Sequence, residues 1–470
     1  MSLSARAVSL CLLVVVSLSS HVAFADDKLV APFIDGPWTQ IAGNPDLGDY
    51  TSPRQQPVDF AVWQAADGTW QALSCIRGTK CGGQTRLLYR WEGKNLTDPD
   101  WKPMGILMES IPDLGEEQGG LQAPHVVKEG DTYHMCYGDW NNICHATSKD
   151  GKHFERVIQP HGGTAVFSEG PGCGTRDVML LKIDGLWHGY YTAYPNDQGT
   201  DFVRTTRDFD NWSEPTAVAL GGIAGIGKFS AECPHVVYHD GYYYLFRTQM
   251  YGRNNISRIY RSKDPLMFGV NEDELYHVGS MAVAAPEIIQ HEGQDYIVAL
   301  NTTLDGLRIA KLGWREPPQV GEPVFALDDA SHREGWKVES GVIHTPLIVT
   351  RRIYFNSPQF HFVGTAELPR RRLDDNRQGV VRSPEFTMTD DQYYAYVSGG
   401  TDKENLYVAV VDADTDKELL RFSSPASTNV MEPMLIDTQS AQGRRVYLKI
   451  VDNATGNWGH INFGGLHRVE

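Results

Sequence analysis

Three acidic residues stand out by their setting: Asp59 in Pro57-Val58-Asp59-Phe60-Ala61, Asp177 in Arg176-Asp177-Val178, and Glu232 in Glu232-Cys233-Pro234-His235. Each opens an apolar or aromatic run of the kind that forms a β-strand. Carboxyl groups on either side of a glycosidic bond can cleave it: one protonates the departing oxygen, and another attacks the sugar carbon or activates water. A third carboxylate stabilises the charge that develops on the ring or holds substrate hydroxyls. His125, His235 and Glu287 open comparable runs. The two histidines fit either a satisfied structural role or hydrogen bonding to substrate, and Glu287 suits a substrate or ion ligand. Trp63, Trp140, Tyr194 and Tyr251 are candidates for stacking on sugar faces. No Cys-x-x-Cys, His-x-x-x-His or calcium-loop spacing is found, so neither a metal nor a cofactor is expected.

Residues so far apart must be gathered by a repeated scaffold, and the sequence repeats. Five two-strand outlines recur, with turns at Asp67-Gly68, Glu129-Gly130-Asp131, Asp184-Gly185, His239-Asp240-Gly241 and Glu292-Gly293. Taking Asp59, His125, Asp177, His235 and Glu287 as markers, the intervals are 66, 52, 58 and 52 residues. A third strand follows each outline: Leu87–Arg90, His145–Asp150, Val203–Thr206, Ile259–Asp264 and Leu307–Ala310. Repeats of this length with several strands each predict an all-β fold, a five-bladed β-propeller over residues 26–318, opening with a polar lead. A single β-sandwich with similar hairpins is the alternative. In a propeller the first strand of each blade lines the central channel, so Asp59, Asp177 and Glu232 would meet at one mouth. Beyond Glu316-Pro317-Pro318 the outline changes to longer alternating strands, predicting a C-terminal β-sandwich (jelly-roll-like) accessory domain over residues 319–470.

The net charge of −17 argues against nucleic acid, which needs concentrated Lys and Arg. Residues 1–25 have the form of a cleavable signal peptide, with Arg6, an apolar Leu10–Leu18 and a small-x-small Ala23-Phe24-Ala25. No later stretch is long and apolar enough to span a membrane. The mature chain is therefore expected to be secreted or periplasmic. Beyond Cys11 six cysteines remain, and an even number in an exported chain predicts disulfides: Cys75–Cys81, Cys136–Cys144, then Cys173 with Cys233. Sugar and linkage specificity and oligomeric state are not legible at this level.

Arg176-Asp177 and Glu232-Cys233-Pro234 resemble motifs of the five-bladed propeller glycosidases, most closely glycoside hydrolase family 32, over about residues 35 to 315. Family 43 is the near relative, sharing the architecture and the three-acid plan. The resemblance implies an exported β-fructofuranosidase or levanase-like hydrolase with a carbohydrate substrate. By the same resemblance Asp59 would be nucleophile or general base, Asp177 the transition-state stabiliser and Glu232 the general acid/base. Arg176 would orient Asp177 or bind hydroxyls. Two departures stand out: Val58-Asp59-Phe60-Ala61 replaces the Asn-Asp-Pro-Asn-Gly of fructan enzymes, and Val178 replaces a proline. A family-43-like arabinosidase or xylosidase, and a non-catalytic carbohydrate-binding propeller, are the alternatives. The last strand, near Gly456–Phe463, resembles that of galactose-binding-like sandwich domains.

Overall fold

Turn chemistry sets the local fold. In the computed structural model, Asp184-Gly185, Asp240-Gly241 and Glu292-Gly293 hold φ of 48 and 79°, 45 and 85°, and 52 and 78°. Positive φ at both positions is the type I′ turn, whose twist matches that of the strands it joins. Residues 28–470 are described, apart from 223–224, 226, 253–254, 318, 344–346, 351–360, 370–371, 425–426, 428, 430 and 432. The expected signal peptide, residues 1–25, lies outside them. The described residues contain no α-helix, and no helix is long and apolar enough to cross a membrane.

Each hairpin belongs to its own antiparallel sheet, giving five between Ala31 and Arg315. Their first strands are Gln56–Gln64, Gln122–Glu129, Arg176–Ile183, Glu232–His239 and Glu287–His291. Each first strand packs against the next, and the fifth packs against the first. The fifth sheet corrects the sequence reading of a polar lead. Ala31–Ile34 and Thr39–Gly43 are strands, and both pair with Gly306–Arg315. Without them that long strand would carry a bare edge of unpaired N–H and C=O groups. Apolar side chains fill the space between neighbouring sheets, as where Val58, Leu73 and Leu88 meet Val126, Met135 and Tyr137.

Sheet membership changes after Arg315. From Val320 onward the strands form two six-stranded antiparallel sheets and one short hairpin. The two larger sheets share one core: Val363, Ala395, Val397, Phe463 and Leu466 of one against Val381, Val408, Val410, Leu448 and Ile450 of the other. The last strand, Ile461–Val469, pairs with three others, including Val320–Ala326, the first strand of this region.

The disulfide expectation is corrected. All six described cysteines are free. Across the pair Thr132–Gly138 and Ile143–Ser148, Cys136 faces His145 and Cys144 faces Tyr137. That one-residue offset puts the two side chains on opposite faces of the sheet. The buried Cys75 Sγ donates to the Leu121 carbonyl at 3.3 Å, while Cys81 sits outside the strand and receives the Thr79 hydroxyl at 3.1 Å. Cys173 and Cys233 have separate partners too, the Pro171 carbonyl and the Asp59 carboxylate. Loss of a native disulfide costs about 2–5 kcal/mol. The expected result here is that reductant leaves the melting temperature unchanged. Mass spectrometry after denaturation and alkylation without reductant should find all six thiols modified.

Candidate active site

The site is built on a backbone feature repeated in each of the five sheets between Ala31 and Arg315. Asp59, Ala123, Asp177, Cys233 and Ala285 all take positive φ, at 40, 31, 59, 47 and 48°. The first four sit where the pairing of the first strand with its neighbour slips, and Ala285 lies just ahead of its strand. A β-bulge re-aims the side chain it carries. Non-glycine residues in this region each cost on the order of 1 kcal/mol or more and persist where the surroundings enforce them. All five line one recess, together with Phe60, Val178 and Glu287.

This corrects the register of the sequence markers. The counterparts of Asp59 and Asp177 are Ala123, Cys233 and Ala285, and His125, His235 and Glu287 stand two residues further along. Glu232 is the counterpart of Arg176, one residue before the bulge. From there the two meet across neighbouring strands, Arg176 Nη2 donating to Glu232 Oε1 at 2.7 Å. Asp49, the other acid near the first strand, is exposed in a 3-10 turn away from the recess.

The catalytic candidates come together. Asp59 and Asp177 are buried, at 8% and 5% exposure, yet both line the recess. Asp177 Oδ2 accepts from the Cys233 main-chain N–H at 3.2 Å and lies 3.5 Å from Arg176 Nε. Its Oδ1 is buried with no hydrogen-bond partner. Asp59 Oδ1 accepts from the Tyr251 hydroxyl at 2.7 Å and from Cys233 Sγ at 3.3 Å. Burial, with Asp59 and Asp177 close by, holds the Cys233 thiol well above its usual pKa, so it remains a donor. The Tyr251 phenol is held up by burial and Asp59 in the same way.

Charge is crowded here. Burial raises Asp177 to about 7, with Arg176 opposing the shift and Asp59 and Glu232 adding to it. Burial also raises Glu232, against the pull of Arg176 and with Asp59 adding to the rise. Arg176 holds the group together: it donates to the Gly174 carbonyl at 2.8 Å, and its guanidinium lies 5.1 Å from the Tyr194 ring and 5.9 Å from that of Phe229. Phe229 is 58% exposed, leaving an apolar face beside Glu232. Beneath lies a fully buried pair, Arg247 Nε 3.2 Å from Asp201 Oδ2. The fields of Arg176 and Glu232 reach Asp201, whose carboxyl burial raises to about 6.

His125, His235 and Glu287 meet one layer further in. Glu287 lines the recess, but neither histidine does. His125 Nδ1 accepts the Leu180 N–H at 3.2 Å, and His235 Nε2 accepts the Ile288 N–H at 3.1 Å. A ring accepting at one nitrogen carries its hydrogen on the other. Those other nitrogens face Glu287 at 3.7 and 3.8 Å. With Glu287 the two rings put three potential ligand atoms within 4.8 Å of one another. A cation needs nitrogen lone pairs, however, and here the nitrogens turned toward Glu287 are donors. Asp59, Asp177 and Cys233 form a similar cluster, but the thiol keeps its proton.

Of the proposed stacking aromatics, Tyr194 and Tyr251 reach the site. Trp63 is buried and donates to the Gly151 carbonyl at 2.8 Å, and Trp140 packs 5.0 Å from the Arg86 guanidinium. Arg86 is a candidate that the sequence does not mark. It is half-buried, and its pKa is raised against the effect of burial, first by Cys75 and then by Asp59 and Asp177. A lone Arg in the polar stretch Gly82-Gly83-Gln84-Thr85-Arg86 carries no signal that would mark it.

No protein-family model matches the chain, and no curated protein matches it in sequence. In structure its larger part is similar to a thermostable family-43 glycoside hydrolase, at 18% identity and a TM-score of 0.42, covering 56% of this chain and 91% of that one. Two longer similarities follow. One is to a family-43 arabinoxylan arabinofuranohydrolase from Bacillus subtilis, at 12% identity and a TM-score of 0.40, covering 92% of this chain and 99% of that one. The other is to an exo-β-1,3-galactanase from Phanerochaete chrysosporium, at 11% identity and a TM-score of 0.40, covering 91% and 100%. These similarities lie with family 43, and closeness to family 32 is not among them.

Proposed function

We propose that the chain is a glycoside hydrolase, a five-bladed β-propeller over residues 26–318 with a β-sandwich accessory domain over 319–470. One observation carries the reading: Asp59 and Asp177 line one recess, Glu232 from a third sheet is tied to Asp177 through Arg176, and Cys233 donates to both aspartates and Tyr251 to Asp59. In this mechanism Glu232 protonates the leaving oxygen, its carboxyl kept protonated to higher pH by burial and neighbouring charge. Asp59 attacks the anomeric carbon or takes the proton from water. Asp177 lies opposite the positive charge that develops on the ring.

For substrate, an arabinoside or xyloside is favoured over a β-fructofuranoside. The two departures from the fructan motifs fall at Phe60 and Val178, and both residues line the recess. A test is hydrolysis of 4-nitrophenyl α-L-arabinofuranoside and β-D-xylopyranoside, arabinan, xylan, sucrose, levan and inulin. Turnover of a pentoside, lost by at least about 10²-fold in Asp59→Asn, is the expected result. Sugar binding without turnover on every substrate would instead make the chain a carbohydrate-binding propeller. Residues 1–25 fit an export leader, and N-terminal sequencing of the exported protein should then begin at Asp26.

A further inference from the structure

A second recess of about 160 Å³ opens to solvent, lined by Tyr50, Arg86, Glu109, Ser110 and Gln118 among others. Arg86 joins the two: it lines this recess, and its charge acts on Asp59, Asp177 and Glu232. Among the described residues Arg86 forms no ion pair, and its guanidinium is packed 5.0 Å from the Trp140 ring. Trp140 holds φ of 90°, a conformation a bulky side chain adopts only when its surroundings impose it. The opposite wall is fixed as firmly. Gln84 N–H donates to the Gln118 carbonyl at 2.9 Å, Arg86 N–H to that of Gly119 at 2.8 Å, and Gly119 N–H to Ser110 Oγ at 2.7 Å. The two loops approach so closely that a Cβ on Gly119 would stand 2.3 Å from the Gly82 carbonyl oxygen.

We propose that this recess is the subsite for the leaving-group side of the scissile bond, and that it takes a neutral sugar unit through its hydroxyls. The inference rests on the glycosidase reading and adds the class of leaving group. A cation, a carboxylate, a hydroxyl, an amide and a phenol in one small recess offer donors and acceptors together, as a polyol needs. A uronate is disfavoured, because Glu109 lines the same recess as Arg86. Arg86, packed against Trp140, donates to a hydroxyl of the neutral sugar.

The test compares an aryl glycoside, whose leaving group has no hydroxyls, with the disaccharide that carries the same glycone. Arg86→Ala removes the donor, and Gln118→Trp fills the recess from an exposed position. In each variant kcat/KM on the disaccharide should fall about 10- to 100-fold further than on the aryl glycoside. If either folded variant lowers both substrates by the same factor, or spares the disaccharide, the subsite assignment is overturned. Should Arg86→Ala fail to fold, Gln118→Trp decides alone. A wild-type chain that cleaves neither substrate would overturn the glycosidase reading instead, a different outcome from equal losses.

Discussion

Glu232→Gln should lower kcat/KM on an unactivated glycoside by about 10²- to 10⁴-fold, the range that a positioned general acid contributes. It should spare a 2,4-dinitrophenyl glycoside to within about 10-fold, because so acidic a leaving group departs without a proton. That contrast isolates proton donation from damage to the site. Glutamine keeps the carbonyl that accepts from Arg176 Nη2 but has no proton to give. The alkaline limb of the wild-type pH profile should report loss of the Glu232 proton, displaced upward from the ordinary 4.5 because burial outweighs Arg176. In the variant that limb should flatten. An equal loss on both substrates, with an unchanged pH profile, would remove Glu232 from the acid role and leave it as the partner of Arg176.

What the sequence disclosed and what it hid follow from the range of the forces involved. The hairpins were legible because Asp-Gly turns and strand alternation act over a few residues, and Asp240-Gly241 adopts the geometry its composition demands. The acids were legible as residue types at strand starts. Their register was not. The positive-φ position at Asp59, Ala123, Asp177, Cys233 and Ala285, a bulge in the first four, is a backbone device with no side-chain type common to all five. Markers chosen by appearance therefore paired Asp59 with His125, which lies two positions on. The strands Ala31–Ile34 and Thr39–Gly43 escaped notice because their partner lies near the far end of the same region, at Gly306–Arg315. An even cysteine count misled for a similar reason. It says nothing of faces, and Cys136 and Cys144 point to opposite ones. Cys233 shows the cost of that reading most clearly, since its thiol donates to a catalytic candidate instead of bridging to Cys173.

Asp177→Asn should move activity and stability in opposite directions. Turnover should fall about 10²- to 10³-fold, since the carboxylate facing the developing ring charge is gone. Stability at neutral pH should rise. The Asp177 carboxyl ionises near its ordinary 3.8 in the unfolded chain but only at about 7 in the folded one, chiefly because of burial. Between those values the native state holds a proton that the unfolded state has released, so stability declines as pH climbs through that window. Asparagine has no proton to lose, so the variant should show a shallower decline and a melting temperature about 2–4 °C above wild type at pH 7. At pH 4 most of that advantage should vanish. The contacts needed to keep the site intact survive the change: the amide oxygen can still accept the Cys233 N–H, and Arg176 retains Glu232 and the Gly174 carbonyl. Paired melting curves at the two pH values are the measurement. A variant less stable than wild type at pH 7 would mean that the Arg176–Asp177 attraction outweighs the burial of the charge. Asp177 would then be a structural anchor rather than a carboxylate kept, at a cost in stability, for the reaction.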